Sequence, residues 1–244
     1  MQSETNTTQG VSSLIEKLFK AGSHFGFTRS RRHPTVTPFI FGSKQGTDII
    51  DLEKTSELLT TAASVVFETA KAGKIVLFVG TKEEILHVVR DAATKVEMPF
   101  VVNRWIGGML TNWSEIRKRI NRLTDLLAQG ASGELERKYT KKERVIIGRE
   151  IEKLTFNFAG IKDMERLPGL LVVVDPRHDI IAVREARELN IPVIGLTSSD
   201  TNLKEVTYPI VANDALQSSV RTILAELTDA YTKGKAEAVV VPKR

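Results

Sequence analysis

The chain has 244 residues, 41% of them apolar and 27% charged, with 35 Lys and Arg against 30 Asp and Glu for a net charge of +5. At about 100–200 residues per domain, this is room for one domain carrying a sizeable insertion. There is no cysteine, which excludes disulfide scaffolds, thiolate zinc sites, iron–sulfur clusters and cysteine nucleophiles.

Residues 1–23 read as a polar segment followed by a short helix. They lack the apolar block and small-residue cleavage site that direct secretion. The longest apolar runs, such as Ile75–Val79, are far shorter than the roughly 18–20 residues of a membrane span, so a protein without membrane contact is expected, cytoplasmic or, as the alternative, organellar. Between Glu16 and Asp48 no acidic residue occurs, yet Lys17, Lys20, Arg29, Arg31, Arg32 and Lys44 fall there with His24 and His33. Phe25, Phe27, Phe39 and Phe41 are interleaved with them, and Pro34 and Pro38 argue against a long helix. Cations without counter-charges repel one another unless a polyanion neutralises them, and rings among them can stack on bases. The same residues also fit a plainer arrangement, with phenylalanines anchored in a core and arginines on a solvated loop.

An α/β pattern follows. Residues 46–52 predict a short strand, with Asp51 as N-cap of a helix carrying Leu58, Leu59, Ala62, Ala63, Val66 and Ala70 and ending at Gly73. Lys74–Val79 predicts a buried strand, Thr81 the cap of a helix bearing Ile85, Leu86, Val89 and Ala92, and Phe100–Val102 another strand. After Pro168 the alternation resumes with strands at 170–174 and 192–196 and helices at 179–189 and 215–231. Strands that are apolar throughout, not alternating, imply burial on both faces, hence a mostly parallel sheet with helices on each side.

The middle breaks this pattern. Ile116, Ile120, Leu123 and Leu127, and then Ile147, Ile151, Leu154, Phe158 and Ile161, form two heptad-like stripes around a turn at 129–133. They predict an antiparallel coiled-coil hairpin with arms of about 30 Å at 1.5 Å per residue. Residues 113–161 hold 11 basic and 7 acidic residues, so this insertion carries most of the net charge. The expected organisation is therefore 1–23 as the N-terminal segment, 24–110 and 162–232 as the α/β body, 111–161 as the hairpin and 233–244 as a basic tail.

Chemistry is sparse. Gly80-Thr81-Lys82-Glu83-Glu84 lacks the G-x-G-x-x-G turn, and the spacing from Gly73 is wrong for a P-loop. Gly107-Gly108, ahead of the helix start at Thr111-Asn112, could bind an anion through backbone amides. Asp175, Asp179 and Asp200 could hold a hydrated divalent ion, although such carboxylates more often cap helices. His178 has no partner for a zinc site, and no G-x-S-x-G elbow or triad is evident.

One string is more specific than the rest: Arg104-Trp105-Ile106-Gly107-Gly108-Met109-Leu110-Thr111-Asn112-Trp113. It resembles the signature of the bacterial-type small-subunit ribosomal protein S2 family. Ser23-His24-Phe25-Gly26, Pro38-Phe39-Ile40-Phe41-Gly42, Ile191 to Leu196 and Tyr208-Pro209-Ile210 occur in the matching order. The resemblance covers about residues 10–232. It implies a flavodoxin-like or Rossmann-like α/β body with a protruding coiled-coil hairpin, no catalysis, and a place on the solvent side of the small subunit between head and body. Small-subunit rRNA and neighbouring ribosomal proteins, including the large one that captures mRNA, would be the partners, with no homo-oligomer. The RNA-binding residues carried over are His24, Arg29, Arg31, Arg32, His33, Lys44, Arg104, Trp105, Thr111, Asn112, Arg117, Lys118 and Arg119, with Trp105 also a candidate for a structural wedge. Phe27 stands where the family usually has a histidine, and Ser198 where it usually has an aspartate. No cofactor is expected, a structural Mg2+ at Asp175, Asp179 and Asp200 being the weak alternative. The rival functions are a nucleotide-dependent α/β enzyme and a free RNA-binding adaptor.

Overall fold

A computed structural model describes residues 13–240; the polar stretch 1–12 and the end of the basic tail, 241–244, lie outside that range. A helix over 13–20 (α1) leads into three short strands, β1 (Phe25–Thr28), β2 (Ile40–Lys44) and β3 (Thr47–Ile50), in an antiparallel sheet of order β1-β3-β2. Gln45 and Gly46 close the β2–β3 hairpin with φ of 51° and 79°, the left-handed pair that matches a two-residue turn to strand twist. The strand expected from residue 46 thus begins at Thr47, because Gly46 belongs to the turn. It ends at Ile50, because Asp51 caps α2 (Leu52–Lys71) by accepting the Glu53 N–H at 3.0 Å. Pro34–Phe39 forms a short 3-10 stretch, as two prolines four residues apart dictate.

The second sheet is wholly parallel. Its strands are β4 (Val76–Val79), β5 (Phe100–Val101), β6 (Leu170–Val174), β7 (Val193–Thr197) and β8 (Tyr208–Val211), in the order β5-β4-β6-β7-β8. Numbered in chain order this is 2-1-3-4-5, the flavodoxin-like arrangement, with its switch point between β4 and β6. Successive residues serve opposite faces. Leu170, Val172 and Val174 enter a core with α2, α3 (Leu86–Lys95) and α8 (Gln217–Val240), while Leu171 and Val173 enter another with α7 (Ile180–Glu188) and the base of α4 (Trp113–Ala131). β8 was not anticipated, since Pro209 interrupts its pattern; it is an edge strand, where proline costs no ladder bond.

Two helix ends differ from expectation. α3 starts at Leu86, not Thr81, because the Thr81 hydroxyl turns across to the start of α7 and donates to Asp179 at 2.8 Å. α8 runs beyond Tyr231 to Val240, so residues 233–240 of the expected tail are helical, and Gly234 and Glu237 lie against α2, where Lys71 pairs with Glu237 at 3.0 Å. The closeness shows at Gly234, where a Cβ would lie 2.4 Å from the Phe67 carbonyl oxygen.

In the insertion, α4 and α6 (Lys141–Phe158) pack on one another through a short α5 (Glu134–Lys138). Thr140 and Glu143 form a reciprocal capping box that starts α6. The heptad expectation needs correction. Ile116, Ile120, Leu123 and Leu126 are buried while Leu127 is 48% exposed, so the last step of the stripe is three residues, not the expected four. Ile161 is buried beyond α6, in a 3-10 turn, where Gly160 passes Phe100 so tightly that a Cβ would lie 2.2 Å from its carbonyl oxygen. Arg122 and Glu150 bridge the two helices at 3.3 Å. From residue 127 to 146 nothing is buried, whereas Ile116, Ile120 and Phe158 share the body's core with Leu77 and Leu171.

Candidate nucleic-acid interface

The glycine pair is an anion site, but its anion is internal. Glu185, on the buried face of α7, accepts hydrogen bonds from the Trp105 indole at 3.1 Å, from the N–H groups of Gly108, Leu110 and Thr111 at 2.8, 2.9 and 3.2 Å, and from the Thr111 hydroxyl at 3.2 Å. Burial works to raise its pKa, but these donors outweigh it and hold the carboxyl below its ordinary value. Gly108 supplies the turn, at φ 87°. The signature string is therefore first a folding device, and it seats α4 against the sheet. Trp105 is buried and spends its N–H on Glu185. Asn112 and Arg119 are exposed, Lys118 pairs with Glu115 at 2.6 Å, and Arg117 donates to the Met164 carbonyl at 3.0 Å. Arg104 is exposed without an ion-pair or hydrogen-bond partner among the described residues. Sequence reasoning missed Glu185, although a glutamate flanked by Val183 and Ala186 on a helix's apolar stripe signals a buried partner.

The basic N-terminal segment divides in two. Arg32 reaches inward to Asp48, its Nε donating at 2.7 Å and its Nη2 making a second, short bond. Asp48 is fully buried, and the Arg32 hydrogen bonds hold its carboxyl below the usual range. The pair fixes the three-stranded sheet, so this guanidinium is spent inside the fold. His24 stacks on Phe19 at 4.6 Å, and burial lowers its pKa. His33 hydrogen-bonds the Thr35 hydroxyl at 2.8 Å. By contrast Arg29 and Lys44 are exposed without an ion-pair partner among the described residues, and exposed Arg31 lies 5.1 Å from the Phe27 ring centroid. Phe25 and Phe41 are exposed beside them, Phe41 by 81%.

Ser199, just past β7, anchors this segment: it accepts the Phe27 N–H at 2.8 Å and, through its carbonyl, the His33 N–H at 2.9 Å. The small sheet therefore sits at the carboxyl ends of the parallel strands. Arg104 follows β5 at the same edge. This edge carries Arg29, Arg31 and Lys44 of the basic segment and Arg104, which lies far from them in sequence.

The crevice at the switch point, where open α/β sheets take their ligands, is closed by the protein's own groups. Lys82 pairs with Asp175, and Asp179 accepts the Thr81 N–H and hydroxyl. Asp200 pairs with Arg177. The three carboxylates considered for Mg2+ thus each have a partner within the protein, and among the described residues no group of three His, Cys, Asp or Glu is gathered to hold a metal ion. Nearby Asp214 is buried with neither carboxylate oxygen hydrogen-bonded among the described residues. Burial, with repulsion from Asp175 and Asp200 and against attraction to Lys82, pushes its pKa up to about 7.

These features define an α/β protein of flavodoxin-like strand order whose ligand crevice is filled internally and whose carboxyl edge presents cations and rings. The profile of the Ribosomal protein S2 family matches residues 18–234. The chain is 41% identical over 230 residues to "Small ribosomal subunit protein uS2" of Roseiflexus sp. (strain RS-1), covering 93% of this chain and 87% of that protein. It is also 41% identical over 222 residues to the protein of that name from Coprothermobacter proteolyticus, covering 91% and 82%. With "Small ribosomal subunit protein uS2c" of Rhodomonas salina it shares 41% over 220 residues, 90% of each chain. The chain belongs to the ribosomal protein S2 family. Its role is accordingly structural and ribosomal, not enzymatic, and its place is the ribosome in the cytoplasm.

Proposed function

We propose that the protein is a constituent of the small ribosomal subunit that lies on small-subunit rRNA through its carboxyl edge. It sits on the solvent side between head and body, and beside the neighbouring protein that captures mRNA. The observation that carries this reading is the division among its cations. Arg32, Arg117 and Lys118 are satisfied within the fold, while Arg29, Arg31, Lys44 and Arg104 stand on one edge with no acidic partner among the described residues. Unneutralised cations beside exposed rings suit phosphates and unpaired bases.

The test is binding to small subunits stripped of this protein, measured against salt. Arg29→Gln with Arg31→Gln should leave folding intact and flatten the logarithmic salt dependence by about 1.4–1.8, at roughly 0.7–0.9 for each phosphate no longer neutralised. Arg32→Gln should instead cost about 3–5 kcal/mol of stability, because it strands a buried carboxylate. A double variant with the wild-type salt slope contradicts the assignment.

A further inference from the structure

Phe156, near the end of α6, is 57% exposed although it lies beside the body. It lines two clefts at once. One, of about 350 Å³, also holds Arg104, His178 and Ile181; the other, of about 290 Å³, holds Arg90. The first lies at the small end of the range for small-molecule sites, about 300–1,000 Å³, and the second just below it. Asn103 stands in the wall between them and donates its side-chain N–H to the Phe156 carbonyl at 2.6 Å, which fixes this stretch of α6 against the end of β5. The Asn103 side-chain oxygen, and the guanidinium groups of Arg90 and Arg104, have no hydrogen-bond or ion-pair partner among the described residues. Asp179 is the one carboxylate lining either cleft, and it is buried and held by Thr81.

We infer that Phe156 is a wedge between two consecutive unpaired nucleotides of RNA. One base lies in each cleft, Arg90 and Arg104 take the flanking phosphates, and the Asn103 oxygen accepts from a base edge. The inference rests on the proposed rRNA contact and adds a second place for it, at the base of the insertion and separate from residues 24–44. Charge selects the occupant. Each cleft offers an arginine with no acidic partner beside a shared aromatic residue, which suits a phosphate–base repeat, whereas a protein segment would have to supply a carboxylate at each position.

The experiment adds full-length protein to small subunits stripped of it, measures affinity, and maps ultraviolet crosslinks by mass spectrometry. Phe156→Ala, an exposed substitution, should keep the wild-type melting temperature. It should weaken binding about five- to 150-fold for each stacked base lost, with the salt slope unchanged. Phe156→Trp should restore affinity, and Arg90→Gln with Arg104→Gln should weaken binding and flatten the slope. In the wild type, nucleotides should crosslink to the peptide containing Phe156. If wild-type protein binds and Phe156→Ala binds equally well, or that peptide crosslinks to protein instead of RNA, the wedge is overturned while the rRNA reading stands. If folded wild-type protein does not bind the subunits, both are overturned.

Discussion

Replacing Glu185 by Ala strands the Trp105 indole N–H and three backbone N–H groups in a buried site. At about 1–3 kcal/mol per orphaned donor, the loss should exceed roughly 3 kcal/mol in a denaturant titration, with Trp105 fluorescence shifting as the loop opens. Because the folded pKa of Glu185 lies below its ordinary 4.5, its contribution is present above that pH and is lost as the medium becomes more acidic. Asp214 has the opposite sign. Its pKa rises from 3.8 to about 7 on folding, so its carboxyl stabilises the fold only while protonated, and stability should fall as pH rises from about 4 to 7. Asp214→Asn should remove that decline and leave the variant more stable than wild type at pH 8, checked by paired titrations at pH 5 and pH 8. At this scale the sequence told which residues are charged but not which charges are spent. Arg31 and Arg32 are neighbours in an acid-free run, yet strand pairing turns only Arg32 onto Asp48, sixteen residues away. The glycine pair was legible as an anion site, while its anion, 77 residues on, was not.

The body helices and most of the parallel strands were legible because burial on both faces leaves long apolar runs, and caps such as Asp51 mark their starts. The three-stranded sheet was only partly so. Its strands are four or five residues long, and exposed Phe25 and Phe41 break the simple alternation of apolar-in and polar-out. The insertion's helices were predicted, but the heptad extrapolation failed at its last step, where Leu126 and not Leu127 is buried. Its attachment depends on close approach at Gly160, a position silent in the hydrophobic pattern. Gly160→Ala should force the turn away from Phe100 and cost about 1–3 kcal/mol, read as a lowered denaturation midpoint. Gly148→Ala, on α6 with nothing within 4 Å of its added Cβ, should instead be neutral or stabilising by up to about 1 kcal/mol.

At the scale of the whole molecule, a parallel sheet brings the ends of all its strands to one edge, which is why flavodoxin-like proteins hold ligands there. Here Lys82, Asp175, Thr81 and Asp179 fill the crevice, and the edge is left to the antiparallel sheet and to Arg104. A net charge of +5 is modest; its placement carries the argument, with unneutralised arginines on the carboxyl edge and an excess of basic residues on the insertion. The most direct test is sucrose-gradient sedimentation of native extract at moderate and at high salt, following this protein across the fractions. Co-migration with small ribosomal subunits at moderate salt, weakening as salt rises, is the predicted result. Migration near the top of the gradient at both salts would contradict it.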